Sequence, residues 1–391
     1  MKNKNEQKPL FKFIDLCSGI GGFHTALKGL GGECVLAAEI DTYAIETYNQ
    51  NYGIDSNNNL RDLTKKDIPY YDILCAGFPC QTFSKAGSQQ GFEEIRGTIF
   101  FDIVRILTET KPKFILLENV RNLASHNNGN TWNTIRKTLT EIGYLVPENP
   151  FIVSPLNFGI PQSRERVFIP CIRKDIAKVE KIELEVPVKQ DTTIFDILEP
   201  TVEEKYNISD YEKYAIKVWE EFKQGITTKS LGFPIWYDSF KLDKESIKDL
   251  PQWKQDFIIK NIELYENNKS FIGSWEKKFN NLQDLQPTHR KFEWQMGTEY
   301  TSIYQGIIQF RPSGIRVKKP DFFPALVAMV HIPIIGKYLR RLTPRECARL
   351  QSFPDTFQLS TNDKQAYKQL GNSLNVTVAK YVFENTILKE L

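Results

Sequence analysis

The chain has 391 residues, with 51 Lys and Arg against 48 Asp and Glu, a net charge of +3, 41% hydrophobic and 25% charged residues. That is the composition of an ordinary soluble protein, long enough for two domains of ~150 residues each. No apolar run approaches the ~20 residues that cross a bilayer, and the polar, lysine-rich stretch 1–9 is no secretory signal but a frayed end.

Six cysteines without CxxC spacing and four histidines predict no zinc, no disulfides and a reducing cytoplasm. A first strand is expected over 12–16. It runs into Cys17-Ser18-Gly19-Ile20-Gly21-Gly22-Phe23 and a helix over 24–30. Strand, glycine-rich turn and helix open a nucleotide-binding α/β fold, because the glycines let the backbone approach a ligand and the helix N-terminus favours a negative group. A second strand, 34–38, ends at Glu39, twenty positions after Gly19 and placed for ribose hydroxyls. Asp62, ahead of the third strand, is placed equally well for an adenine amino group or as a turn aspartate.

The strand 72–76 ends in Gly77-Phe78-Pro79-Cys80-Gln81. Glycine and proline end the strand and stiffen the turn, which puts the Cys80 thiol at the carboxyl edge of a sheet, where open α/β folds bind ligands. A lone cysteine is usually a buried structural one, but the residues around Cys80 favour a nucleophile. The polar, glycine-punctuated stretch 82–98 after it suits a lid. A helix is expected up to residue 109, then a buried strand over 113–117 that Glu118-Asn119-Val120 ends. Partial burial would raise the Glu118 pKa and let it donate or share a proton. A further helix spans 131–142. Arg164 and Arg166 then alternate ahead of a strand at 167–169, so an extended chain points both to one side, where guanidiniums can hold a carbonyl oxygen or phosphates.

Taken together these residues resemble the DNA cytosine-5 methyltransferases. Residues 13–22 are similar to that family's S-adenosylmethionine loop, with Cys17 where Phe is usual. Pro79-Cys80-Gln81 resembles its nucleophile motif, Glu118-Asn119-Val120 its acid motif and Gln162-Ser163-Arg164-Glu165-Arg166 its arginine motif. Residues 341–354 and Gly371-Asn372-Ser373-Leu374 resemble the two closing motifs, Leu374 replacing the more usual Val. The likeness covers 11–175 and 338–391.

The resemblance implies a Rossmann-like S-adenosylmethionine-dependent methyltransferase domain, 1–185 plus 361–391, and a smaller target-recognition domain with its hinge, 186–360. It implies S-adenosylmethionine held by Leu16, Ser18, Gly19, Gly21, Gly22, Phe23, Glu39, Ile40, Asp62, Leu63, Gly77, Pro79, Ile99, Asn372 and Leu374. The Cys80 thiolate would attack C6 of a flipped cytosine and give C5 carbanion character, Glu118 would bind N3, and Arg164 or Arg166 would bind O2. The partner is double-stranded DNA, touched by Gln81 and Ser84 and by a basic strip holding Arg311, Arg316, Lys318 and Lys319. From Arg311 to Arg345 eight basic residues stand against one acid, Asp321. Expected, then, is a monomeric, metal-free, cytoplasmic bacterial modification enzyme of a restriction-modification system. A tRNA methyltransferase with the same core, an NAD-dependent oxidoreductase built on the glycine turn, and an inactive DNA-binding protein are the alternatives.

Overall fold

The computed structural model describes residues 8–79, 99–227, 231–326 and 331–391. Phe11, Phe13, Ile14 and Leu16 of Phe11–Leu16 (β1) are apolar and buried on both faces, the signature of a strand covered on both sides, as parallel sheets require. β1 pairs in parallel with Gly32–Ala38 (β2) and Ile73–Gly77 (β3), and β3 with Phe114–Val120 (β4). Between them lie helices α1 (Gly22–Lys28), α2 (Thr42–Tyr52) and α3 (Ile99–Thr110). The crossovers therefore follow the doubly wound pattern anticipated from the alternation of apolar runs and helical segments.

After α4 (Asn130–Glu141) come β5 (Tyr144–Leu145), β6 (Phe151–Val153), β7 (Gln162–Ser163) and β8 (Arg166–Arg173). β8 runs antiparallel to β4, and the seven-stranded sheet has the order β2-β1-β3-β4-β8-β5, with β6 also on β8. This pairing corrects one expectation. The strand expected over 113–117 runs three residues further, so that Glu118, Asn119 and Val120 form its last part, because β8 supplies ladder partners as far as Val120 opposite Arg166. On α3, buried Phe100, Ile103, Ile106 and Leu107 recur at helical spacing against the sheet residues Leu74, Ile115 and Leu117. Truncating one of them to alanine would cost about 2–5 kcal/mol.

A second compact unit comprises 193–323 and 330–343. It contains α5 (Asp210–Gly225), α6 (Gln252–Asn267) and α7 (Lys269–Lys278). Its strands are β9 (Ile235–Trp236), β10 (Lys291–Gln295), β11 (Ile307–Arg311), β12 (Gly314–Lys318), β14 (Ile334–Ile335) and β15 (Arg340–Arg341), with β13 (Phe323–Pro324) at its boundary. They form a six-stranded sheet ordered β15-β14-β11-β12-β10-β9, in which only β10 and β12 are parallel. Its core gathers Trp219, Phe222, Trp275, Phe292 and Trp294, so most of the tryptophans concentrated in this part of the chain pack the interior. The first unit is completed by α8 (Pro344–Leu350), α9 (Asp363–Asn372) and α10 (Val376–Thr386). No described helix is long and apolar enough to cross a membrane.

Candidate active site

The parallel strand ends of the first unit open onto a cavity of about 660 Å³, within the ~300–1,000 Å³ range of small-molecule sites. The glycine turn forms one wall. Gly19 and Gly21 have φ of +54° and +84°, a region that side chains with a Cβ rarely enter, so the turn can bring its backbone N–H groups to the cavity edge. From behind, α2 braces the turn: the Tyr52 hydroxyl donates to the Gly21 carbonyl at 2.8 Å and is 2.6 Å from Thr25 Oγ1.

Glu39, at the end of β2, lines the same cavity. Its carboxylate accepts from the backbone N–H of Gly19 at 2.8 Å, of Ile40 at 2.8 Å and of Asp41 at 2.9 Å. Asp41 caps α2 and pairs with Lys368 of α9 at 2.6 Å. To the same cavity α9 contributes Lys368, Gln369, Gly371 and Asn372.

The ladder between β3 and β4 sets Gly77 opposite Glu118. A Cβ on Gly77 would lie 3.4 Å from Glu118 Oε2, in ordinary van der Waals contact, so the carboxylate sits directly over this position. Glu118 Oε1 is 3.2 Å from Arg166 Nε. Burial pushes the Glu118 carboxyl up from its ordinary value, while the positive charges of Arg166 and then Arg164 pull it back. Beside it, Asn119 is buried and donates from Nδ2 to the Phe78 carbonyl at 2.8 Å. The turn leading to residue 80 is thereby tied to the acid-bearing strand.

The two arginines have separate partners. Arg166 faces Glu118, whereas Arg164 donates to three backbone carbonyls: Leu326 at 2.8 Å, Gly371 at 3.0 Å and Ser373 at 2.6 Å. Burial lowers the Arg164 guanidinium to about 9, so it stays cationic at neutral pH.

Of the residues singled out in the sequence for the cofactor, Gly19, Glu39, Ile40, Gly77, Pro79, Ile99 and Asn372 line the cavity, together with Glu118, Arg164 and Arg166. Leu16, Phe23 and Leu63 are core residues, while Ser18 and Leu374 are buried beneath the turn. Gly22 packs against Leu374 and Gly21 against Tyr52. Asp62 is exposed, and its loop presents Asn58, Asn59 and Leu60 to the cavity instead. Cys80, Gln81, Ser84 and the lid expected over 82–98 lie outside the described residues.

A model of the C-5 cytosine-specific DNA methylase family matches residues 11–388. The chain belongs to this family. It is a DNA cytosine-5 methyltransferase, and the oxidoreductase reading of the glycine turn falls away. Among relatives, the Type II methyltransferase M.HhaI of Haemophilus parahaemolyticus is 32% identical over 98% of this chain and 96% of its own length. The Type II methyltransferase M.HpaII of Haemophilus parainfluenzae is 36% identical over 94% and 86%. The Entamoeba histolytica methyltransferase EhMeth has the same fold, with a TM-score of 0.54 at 21% identity over 97% of this chain and 99% of that one. The family match thus runs through 176–337, where the sequence by itself suggested no relationship.

Several residues that shape this methyltransferase's cavity were not anticipated. Tyr52 and Lys368 sit in ordinary helical sequence. So does Arg105 of α3, which donates to the carbonyls of Leu63 at 2.7 Å, Leu60 at 3.0 Å and Arg61 at 3.3 Å and so fixes the loop carrying Leu60. Cys17 was noted only as a departure, yet it lines the cavity with φ +52°.

Proposed function

We propose that the enzyme uses S-adenosylmethionine to methylate C5 of a flipped-out cytosine in a specific double-stranded DNA sequence, through a covalent bond between Cys80 and C6. The observation that carries this reading is the Glu118–Arg166 pair, 3.2 Å apart, at the strand end that faces the Gly77-Phe78-Pro79 turn, one residue before Cys80.

The cavity's residues fit the cofactor. The Gly19 turn and Glu39 would hold the ribose, and Ile20, Ile40 and Phe78 line the cavity's apolar part. Asn372 would close over the amino-acid end. When bound, S-adenosylmethionine supplies the methyl group to the activated C5.

The protein's own part is to make C5 reactive. The Cys80 thiolate adds to C6, and the electrons displaced into the ring gather at C5 and N3. A proton shared from Glu118 at N3 and the guanidinium of Arg166 at O2 stabilise that charge as it develops. Burial of Glu118 favours its protonated form, which suits donation to N3. Once C5 carries the methyl group, loss of its proton restores the ring and expels Cys80. Arg164, with its Nη groups on backbone carbonyls, would hold the 371–373 turn in place.

The second unit would carry the target recognition. The Type II relatives make the modification half of a restriction-modification pair the fitting biological setting, in a bacterial cytoplasm and without a metal. Incubating the protein with labelled S-adenosylmethionine and plasmid, followed by bisulfite sequencing, should give conversion-resistant cytosines at one sequence. Label in tRNA alone, or no resistant cytosine, would refute the proposal.

A further inference from the structure

We infer that Arg316, held in place by Glu293, reads a guanine edge in the target sequence rather than binding phosphate. The inference rests on the proposed role of the second unit in DNA recognition.

The six-stranded sheet has two unlike faces. Phe292, Trp294, Ile308, Ile315 and Val317 point into the core. Their alternate neighbours are Glu293, Gln295, Gln309, Arg311, Arg316 and Lys318. The register aligns them: Glu293 opposite Arg316, Gln295 opposite Lys318, and Gln309 opposite Arg316 from the other side. The strip from Arg311 onward looked in the sequence like a row of free cations. The parallel pairing of β10 with β12 brings a carboxylate from outside that row into its middle.

Glu293 Oε2 accepts from Arg311 Nη2 at 2.6 Å and from Arg316 Nε at 2.9 Å. Its Oε1 accepts from Gln295. Lys318 stands close enough for its ammonium to feel both arginines and Glu293, with Nζ 5.2 Å from the Phe322 ring centre. Lys319 pairs with Glu299. Three of the four cations expected to grip phosphate therefore already have a carboxylate partner.

The geometry left over is specific. With Nε engaged, the Arg316 guanidinium keeps its two Nη groups without a hydrogen-bond partner among the described residues, and it is 28% exposed. That end is a rigid two-pronged donor, the shape that matches O6 and N7 of guanine. Glu293 offsets part of the positive charge of Arg311, Arg316 and Lys318 and so weakens the pull on a phosphodiester, whereas pairing of the fork with the neutral acceptors of guanine depends on geometry rather than on net charge. The amides of Gln295 and Gln309 flank the fork, and amides discriminate bases better than they neutralise phosphates. Glu293 thus orients the arginine and disfavours the non-specific contact, a combination that raises specificity at the expense of bare affinity.

The test uses the full chain. Methylated sites are mapped by bisulfite sequencing of a randomised duplex library, and binding to cognate and scrambled duplexes is measured at two salt concentrations. Arg316→Lys keeps the charge and loses the fork, Arg316→Ala loses both, and Glu293→Gln keeps the shape of its side chain. Melting curves check each variant's fold. Both Arg316 variants should relax the preference at one G·C pair by roughly tenfold to a hundredfold, with scrambled-DNA affinity and salt slope close to wild type. Glu293→Gln should relax the same position while tightening binding to scrambled DNA. The inference is overturned if Arg316→Ala weakens all sequences alike and lowers the salt slope by about one, the mark of a phosphate contact. It is equally overturned if the variants keep the wild-type site and affinity. A wild-type protein that methylates no DNA overturns the underlying reading, and the inference with it.

Discussion

Asn119 Nδ2 donates to the carbonyl oxygen of Phe78 at 2.8 Å, and Asn119 Oδ1 accepts from the N–H of Val120 at 2.8 Å. One buried amide therefore fixes two things at once: the exit direction of β4 beyond Glu118, and the turn two residues before Cys80. Asn119→Asp should isolate the first bond, since it keeps the acceptor and removes the donor. A displacement of about 1 Å at a reacting group can cost on the order of a hundredfold in rate. We expect kcat to fall by about that factor with KM for DNA little changed. A variant that loses DNA affinity but keeps kcat would show that the bond serves the fold alone.

Cys80→Ser should abolish methyl transfer. A hydroxyl lacks the soft sulfur and the pKa near 8.5 that make a thiolate available, and loss of a nucleophile ordinarily costs many orders of magnitude. Single-turnover assays retaining more than about a hundredth of the wild-type rate would remove Cys80 from the mechanism.

Glu118→Gln should slow the chemical step by about a hundredfold or more, the usual range for a lost proton donor, while DNA affinity changes little. The interaction strengthens only as charge develops on the ring. Binding and single-turnover rate, measured on the same preparation, separate the two. If affinity collapses and the rate survives, Glu118 is structural.

Arg164→Met should cost stability and cofactor affinity together. It removes the Arg164 donor from the carbonyls of Leu326, Gly371 and Ser373, leaving Ser373 only the longer bond from Gln351 Nε2 at 3.4 Å, a loss of about 2–3 kcal/mol if each buried acceptor contributes at the low end of its range. Asn372 lies between two of those acceptors, so S-adenosylmethionine binding should weaken as well. Asn372→Ala should weaken the cofactor without lowering the melting temperature. Calorimetry and thermal melts on both variants make the comparison, and equal melting losses in the two would contradict it.

Asp15 gives the fold a pH dependence. It is buried, its Oδ2 has no hydrogen-bond partner among the described residues, and burial holds its carboxyl well above the ordinary carboxylate value, more than a backbone hydrogen bond at His24 pulls it down. The folded state thus keeps this proton more tightly than the unfolded chain, whose pKa is about 3.9. The stability it contributes is whole below that pH and drains away as pH rises towards the folded value, by up to about 1.4 kcal/mol per pH unit. Asp15→Asn cannot ionise. The melting temperature of wild type relative to Asp15→Asn should therefore fall between pH 5 and pH 8, and parallel curves would sink the assignment.

Much of the catalytic half was legible because its signals are local. A glycine turn after an apolar run and an acid at a strand end each declare themselves within a few residues, and β1, β2, β3, β4 and β8 lie within a few residues of where the apolar runs put them. What escaped was carried by pairing between distant segments. Arg164 looked like a twin of Arg166 because both fall on one side of an extended chain. Only the return of Gly371 and Ser373 shows that its Nη groups are engaged by backbone carbonyls. Glu293 escaped for the same reason: nothing near residue 293 hints that a parallel ladder will set it against Arg316. The continuation of β4 through Val120 likewise depended on an antiparallel partner almost fifty positions away.

The cavity at the strand ends draws on residues from Cys17 to Asn372, and the unit that contains it is assembled from 1–192, 324–329 and 344–391. During synthesis, the glycine turn, Glu39 and Glu118 leave the ribosome long before α9 does. A nascent chain stopped between residues 120 and 360 has the acid and the turn but none of the residues that α9 contributes to the cavity. Long-range closure of this kind is slow, and it makes methyl transfer a property of the nearly complete chain. Truncated or prematurely terminated copies would therefore compete for ribosomes and chaperones without marking any DNA.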